Sequence, residues 1–351
     1  MKKFIVSALF ASSCILTTSV NADALFFPYV VTSPTVASIL SIVNTDPDGE
    51  LFLNYFTKNS LAATASCTDQ LRNRVDSATN DIVTFEANGA FVEGVESATG
   101  GPLFNDPAVA VTYVGDNFTM GPLSTTTRAF LVADDNDNDG EDLYGEAIIL
   151  ETQGGAAWGY RAFNGADDGG ALTGGNAPEF DAPSDVLGEA LDVDNGTDAA
   201  AVTLLPTNEW ETRFFVTPLS DGNQRCTNCN AAIKLTRDKG EAALGIFDRD
   251  TTPFTGTNAE IVEVVCVHGV DLTDLLPASV EAAVGDQGGW GYVNIDVGSV
   301  GGETAFAATV IKLEFNSVQF VSPSTFNSFN GTVNTAVWLR NVDNTQGVSG
   351  F

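Results

Sequence analysis

Short apolar runs punctuate this chain and limit what it can fold into. Residues 25–31, 38–44, 51–57, 81–87, 125–133, 146–151 and 158–163 form a first series; 211–217, 232–236, 261–267, 290–297 and 336–339 form a second. Each is rich in β-branched or aromatic side chains, and Gly, Asn and Asp fall between them. Runs this short are the length of strands rather than of buried helices, so the spacing predicts antiparallel strands joined by turns. The balance of 34 Gly and 23 Phe against 2 Met points the same way. Helical signals are confined to 68–75 and to 277–284, the latter opened by Pro277. Residues 305–313 read equally well as a helix or a buried strand. The expectation is an all-β fold of two tandem antiparallel β-sandwich-like domains with few short helices.

Order along the chain suggests how those domains divide. Met1-Lys2-Lys3 gives a positive start, residues 4–20 are apolar with scattered hydroxyls, and Val20-Asn21-Ala22 offers small residues where a signal peptidase reads. Residues 1–22 are therefore expected to be a signal peptide, 23–163 an N-terminal β-sandwich domain, 164–200 a linker or long loop dense in Gly and Asp, and 201–351 a C-terminal β-sandwich domain. Ala11-Ser12-Ser13 before Cys14 is a poor context for a lipid-anchored cysteine. No later run of about 18 apolar residues exists to span a bilayer as a helix. Phe351 ends the chain as in many outer-membrane barrels, yet residues 344–350 lack a barrel strand's alternation. The expected location is exported: periplasmic, extracellular or on the cell surface.

Comparison of the two series suggests a duplication. Thr45 to Phe56 aligns with Thr236 to Phe247, with Thr, Gly, Glu, Leu and Phe in register. Asp81-Ile82-Val83 then parallels Glu260-Ile261-Val262, and Trp158-Gly159-Tyr160 parallels Trp290-Gly291-Tyr292. The competing explanation is chance similarity among strands rich in Gly, Ala and Val.

Charge excludes one class of partner. With 46 acidic residues against 15 Lys and Arg, the net charge is −31, so the surface repels phosphate backbones and nucleic-acid binding is not expected. Four cysteines follow the leader: Cys67, Cys226, Cys229 and Cys266. An even number in an exported chain favours disulfides over a zinc site or a redox pair, and the preferred pairing is Cys226–Cys229 with Cys67–Cys266.

One motif carries chemistry. Asp135-Asn136-Asp137-Asn138-Asp139-Gly140, followed after five residues by Glu146, has the spacing of a calcium loop. Calcium takes six to eight oxygens. Asp135, Asp137 and Asp139 would supply carboxylates, Glu141 its backbone carbonyl, and Glu146 two oxygens to close the sphere. The flanks read as strands rather than EF-hand helices, and a solvated acidic hairpin tip is the competing reading, which calcium outweighs. The segment 192–198 is a weaker second candidate.

Catalytic motifs are not evident, and no enzyme is expected. His268, the sole histidine, ends a strand beside Cys266. Neither G-x-S-x-G, H-E-x-x-H nor a phosphate-binding Gly loop occurs. Trp158, Tyr160, Trp290 and Tyr292 could stack on sugars, although a spacing of two also suits packing on one strand face.

The segments Leu25-Phe26-Phe27-Pro28-Tyr29 and Ser41-Ile42-Val43-Asn44-Thr45, with Thr212 to Pro218 and Phe247-Asp248-Arg249 in the second half, resemble a family of exported bacterial β-rich proteins of uncharacterised function. The resemblance covers parts of both halves, implies an exported β-protein, and brings no catalytic residues. Together these readings predict a secreted or cell-surface structural or adhesive protein stabilised by calcium and disulfides. A carbohydrate-binding or carbohydrate-cleaving module, and a self-assembling surface-layer or filament subunit, are the alternatives. A glycan, a surface protein or a second copy of the chain are the candidate partners.

Overall fold

The structure is a computed structural model, and it describes residues 24–45, 50–76, 79–87, 126–134, 143–151, 156–167, 180–181, 190–193, 199–220, 226–239, 244–250, 252–254, 260–315 and 334–339. Its first half carries β1 (Ala24–Thr32), β2 (Val36–Asn44), β3 (Glu50–Lys58), β4 (Thr68–Asp76), β5 (Asp81–Glu86), β6 (Thr127–Asp134), β7 (Leu143–Glu151), β8 (Ala156–Arg161), β9 (Phe163–Asp167) and β10 (Phe180–Asp181). The second half carries β11 (Leu191–Asp192), β12 (Ala199–Leu204), β13 (Glu211–Leu219), β14 (Cys229–Thr236), β15 (Ile246–Asp248), β16 (Pro253–Phe254), β17 (Val262–Val265) and β18 (His268–Asp271). Two short helices follow, α1 (Leu272–Leu275) and α2 (Ala278–Val284), and then β19 (Gly289–Val297), β20 (Glu303–Thr304), β21 (Ala307–Phe315) and β22 (Asn334–Trp338). The protein is all-β.

The apolar runs fall on strands. Pro277 precedes α2, which buries Val280 and Val284. The ambiguous stretch 305–313 is strand β21. The helix expected over 68–75 is wrong: those residues form β4, paired along β3 from Thr57↔Thr68 to Glu50↔Asp76. With β6 already on its other side, β3 needs a partner for its remaining backbone N–H and C=O groups, and that requirement outweighs a weak local helix preference. Segment 164–200, expected as a linker, has strand in its described residues: β9 extends the sheet beside β1, and β11 pairs with β21.

Each half is a pair of facing sheets. The first combines β10-β9-β1-β6-β3-β4 with β5-β2-β7-β8; the second combines β11-β21-β13-β18, extended by β22, with β16-β15-β19-β14-β17. Pairing is antiparallel except between β14 and the short β20. Contact between the first two sheets is close: a Cβ on Gly145 of β7 would lie 2.7 Å from Phe27 Cζ and 2.8 Å from Leu25 Cδ1 of β1. In the second half Phe214 and Val216 of β13 pack with Ala231 and Ile233 of β14 and Val293 and Ile295 of β19.

The halves repeat one topology. The order β9-β1-β6 corresponds to β21-β13-β18, and β5-β2-β7 to β17-β14-β19, with the six strands met in the same chain order in both. Register agrees with the sequence alignment. The alignment of Thr45 with Thr236 sets Ile42 against Ile233, and Val83 aligns with Val262. Ile42 pairs with Val83, and Ile233 pairs with Val262. The third match does not hold structurally. Trp158 lies on β8, a neighbour of β7, whereas Trp290 lies on β19, the counterpart of β7 itself. The halves also diverge at β3, which joins β6, while β15 joins β19 in the other sheet.

The halves are packed together. The larger core holds Phe27, Phe56 and Phe130 from the first half with Phe215, Val267 and Ile311 from the second. Across the junction the Thr217 hydroxyl donates to the Pro28 carbonyl at 2.7 Å, and the Val265 N–H donates to the Ala63 carbonyl at 2.9 Å.

Candidate functional site

Of the residues read as a calcium loop, Asp135, Asp137, Asp139 and Glu141 lie outside the described residues, as does most of 192–198. The fifth, Glu146, is exposed on the outer side of β7, directly opposite Ser41 of β2 and Arg161 of β8. The segment joins β6 to β7, the position occupied in the second half by α1 and α2.

The cysteines pair as Cys67–Cys266 and Cys226–Cys229, with Cα separations of 5.8 and 5.0 Å. Cys67–Cys266 joins the two halves. Among the described residues, one group of potential metal ligands comes together: Cys226, Cys229 and Glu303, their ligand atoms within 4.8 Å of one another. With both sulfurs joined in a disulfide there is no thiolate to offer a metal, and sulfur does not suit a hard cation such as calcium.

Neither tryptophan–tyrosine pair forms an open platform. Trp158 is half-buried and stacks on Phe215 of the second half at 5.0 Å and 7°. Tyr29 meets the same Phe215 ring at 4.1 Å, and the buried Tyr160 hydroxyl donates to the Tyr29 carbonyl. Burial raises the phenol pKa of both tyrosines, which stay protonated at neutral pH. Trp290 stacks on Phe247 at 4.8 Å and meets Tyr292 edge-on at 71°. These rings serve packing within each half and across the junction.

The most unusual chemistry also lies at the junction, and it is cationic. Lys58, at the end of β3, is 1% exposed. Its ammonium donates to the Ala63 carbonyl of its own half at 2.8 Å and crosses to the second half to donate to the carbonyls of Val265 at 2.9 Å and Val267 at 3.1 Å. Cys266, between the last two, has a φ of 63°, a left-handed conformation rare outside glycine that belongs to the turn between β17 and β18. Arg128 of β6 lies directly opposite Lys58 across the β3–β6 ladder. Burial, with Arg128 second, pulls the Lys58 ammonium down to about 7.

His268 begins β18, opposite Val216 of β13. Burial lowers its ring to about 4, and the positive charges of Lys58, Arg128 and Arg213 add to the shift, with Asp271 opposing. At neutral pH the imidazole is uncharged. Arg213 of β13 grips Asp271 of β18 through two contacts, Nε to Oδ1 at 2.5 Å and Nη2 to Oδ2 at 3.1 Å. Arg128 faces the Tyr29 phenol, but its Nε and Nη1 are buried with no acceptor among the described residues. His268 Nδ1 is likewise buried without a partner there.

The sequence marked His268 and passed over the cations. Their signal was present: Arg128 and Arg213 interrupt apolar strand runs and Lys58 closes one, in a chain with only 15 Lys and Arg. Among the described residues no helix is long and apolar enough to cross a membrane. Searches against protein-family models, curated proteins and solved structures find no match to this chain.

Proposed function

We propose that the chain is an exported structural or adhesive β-protein, non-catalytic, whose two halves are held as one rigid scaffold. The observation carrying this reading is the junction, where a disulfide, a buried lysine and an aromatic stack bind the halves together. An interface that continues the core resembles a permanent one rather than a hinge. Disulfides of this kind persist in oxidising compartments outside the cytoplasm. The packing of Trp158 against the core, and the edge-on rather than coplanar arrangement of Trp290 and Tyr292, weigh against a sugar platform. Strand β1, which would be the donor in a strand-exchanging filament, is paired on both sides by β6 and β9 and buried throughout.

Calcium belongs to the same reading, with Asp135, Asp137, Asp139, Glu141 and Glu146 as its oxygen donors. A ligand that binds only the folded state raises its stability. Millimolar calcium is therefore expected to raise the thermal midpoint of residues 23–351 and to leave an Asp137→Ala/Asp139→Ala variant unchanged. An equal response in both would remove calcium from this loop. The wider proposal is tested by fractionation and thiol counting: an extracytoplasmic protein with no free thiols supports it. Cytoplasmic, reduced protein, or turnover of a polysaccharide, would overturn it.

A further inference from the structure

Two like charges placed directly opposite in a sheet repel each other, and Lys58 and Arg128 are such a pair. The Lys58 ammonium bonds to the Val267 carbonyl beside His268, and Arg213 lies on β13, the neighbour of the strand that His268 begins, so three of the chain's 15 Lys and Arg act on its single histidine. Asp271, the acidic residue acting on His268, is held by Arg213 in a two-point ion pair, and Glu211 also acts on Arg213. Lys58 has directed its three protons to backbone carbonyls. What is left is a partly buried guanidinium with two nitrogens lacking an acceptor among the described residues and an imidazole nitrogen in the same state.

Buried donors without acceptors are rare in folded proteins, and those on charged groups are the most costly. We propose that this junction is a binding site for a small oxyanion, contacted by Arg128 and His268 and attracted by the Lys58 ammonium. A carboxylate or a phosphate offers several acceptor lone pairs and a charge opposite to the surplus. Arg128 supplies N–H donors, and His268 supplies Nδ1–H in the tautomer that donates there. The net charge of −31 disfavours long polyanions, which would face the acidic surface along their length, and leaves a single anionic head as the fitting ligand. Because Arg128 belongs to one half and His268 to the other, a bound anion would tie the halves together.

The test uses residues 23–351 with disulfides intact, and sodium phosphate and sodium acetate as probes, against sodium chloride at matched ionic strength. Two readouts are followed: the thermal midpoint, and the NMR signal of the only imidazole in the chain. The expected result is a saturable rise in midpoint and a saturable shift of the His268 ring with its pKa moved upward. Arg128→Gln should weaken the response at least tenfold, and Arg161→Gln, at an exposed position on β8, should not. A response to phosphate alone assigns a phosphate head, to acetate alone a carboxylate, and to both a general oxyanion site. No effect beyond chloride, or an undiminished effect in Arg128→Gln, would overturn the proposal. If Arg128→Gln does not fold, the His268 titration of the parent decides: a saturable shift upholds the site and a flat titration removes it.

Discussion

Lys58 is the residue on which the junction turns. Its ammonium donates to three carbonyls from two segments; in Lys58→Met the Ala63 and Val265 carbonyls keep the N–H groups of Val265 and Val267, and the Val267 carbonyl loses its lysine donor. A loss of roughly 1–3 kcal/mol in urea unfolding is expected, the cost of removing these charged hydrogen bonds and leaving a buried acceptor. Its pH signature has a definite sign. The folded lysine titrates near 7 and the free side chain near 10.5, so between those values the unfolded chain holds the proton and the folded chain does not. Stability contributed by this group therefore rises with pH across that window, and the parent-minus-variant difference should show the rise. His268 acts at the acid end. Folded near 4 against 6.5 when free, it makes the protein lose stability as pH falls through that interval, and His268→Gln should flatten that slope. Arg128 from β6 acts on both side chains, while Lys58 from β3, Arg213 from β13 and Asp271 from β18 also act on His268. No single strand reveals that meeting, because the residues stand up to 213 positions apart in the sequence, from 58 to 271.

Strand identity was legible locally, because alternating β-branched and aromatic residues mark a strand wherever it pairs. Pairing decided what local preference could not. Residues 68–75 contain helix-tolerant Gln, Leu and Arg, and became β4 because β3 had an open edge. The duplication was legible where register and sequence coincide, as at Ile42·Val83 and Ile233·Val262. It misled at Trp158 and Trp290, where similar side chains fill different strands of the repeat. Sheet-to-sheet contact brings its own constraint at Gly145, where an added methyl would press on Phe27 and Leu25. Gly145→Ala should cost roughly 1–3 kcal/mol through overpacking, measured by urea unfolding at constant m-value.

At the scale of the molecule, the sequence suggested two domains in tandem, and the even number of cysteines pointed to disulfides, while four cysteines allow three connectivities and spacing favoured only the short Cys226–Cys229 loop. The shared core was not, because Phe215, Val267 and Ile311 look like ordinary core residues of the second half. The two disulfides should differ in weight. Cys67–Cys266 spans 199 residues and Cys226–Cys229 spans 3. In the chain-entropy estimate the long loop is worth about 5 kcal/mol and the short one about 2 kcal/mol. Cys67→Ser/Cys266→Ser should therefore destabilise the protein more than Cys226→Ser/Cys229→Ser.

Scanning calorimetry of residues 23–351 with both disulfides intact is the most direct test of a single locked scaffold. One transition, with calorimetric and van't Hoff enthalpies equal, is expected, because the halves cannot separate without opening a common core. Two independent transitions, unaffected by Cys67→Ser/Cys266→Ser, would mean that the halves unfold as separate bodies and that the junction holds nothing together.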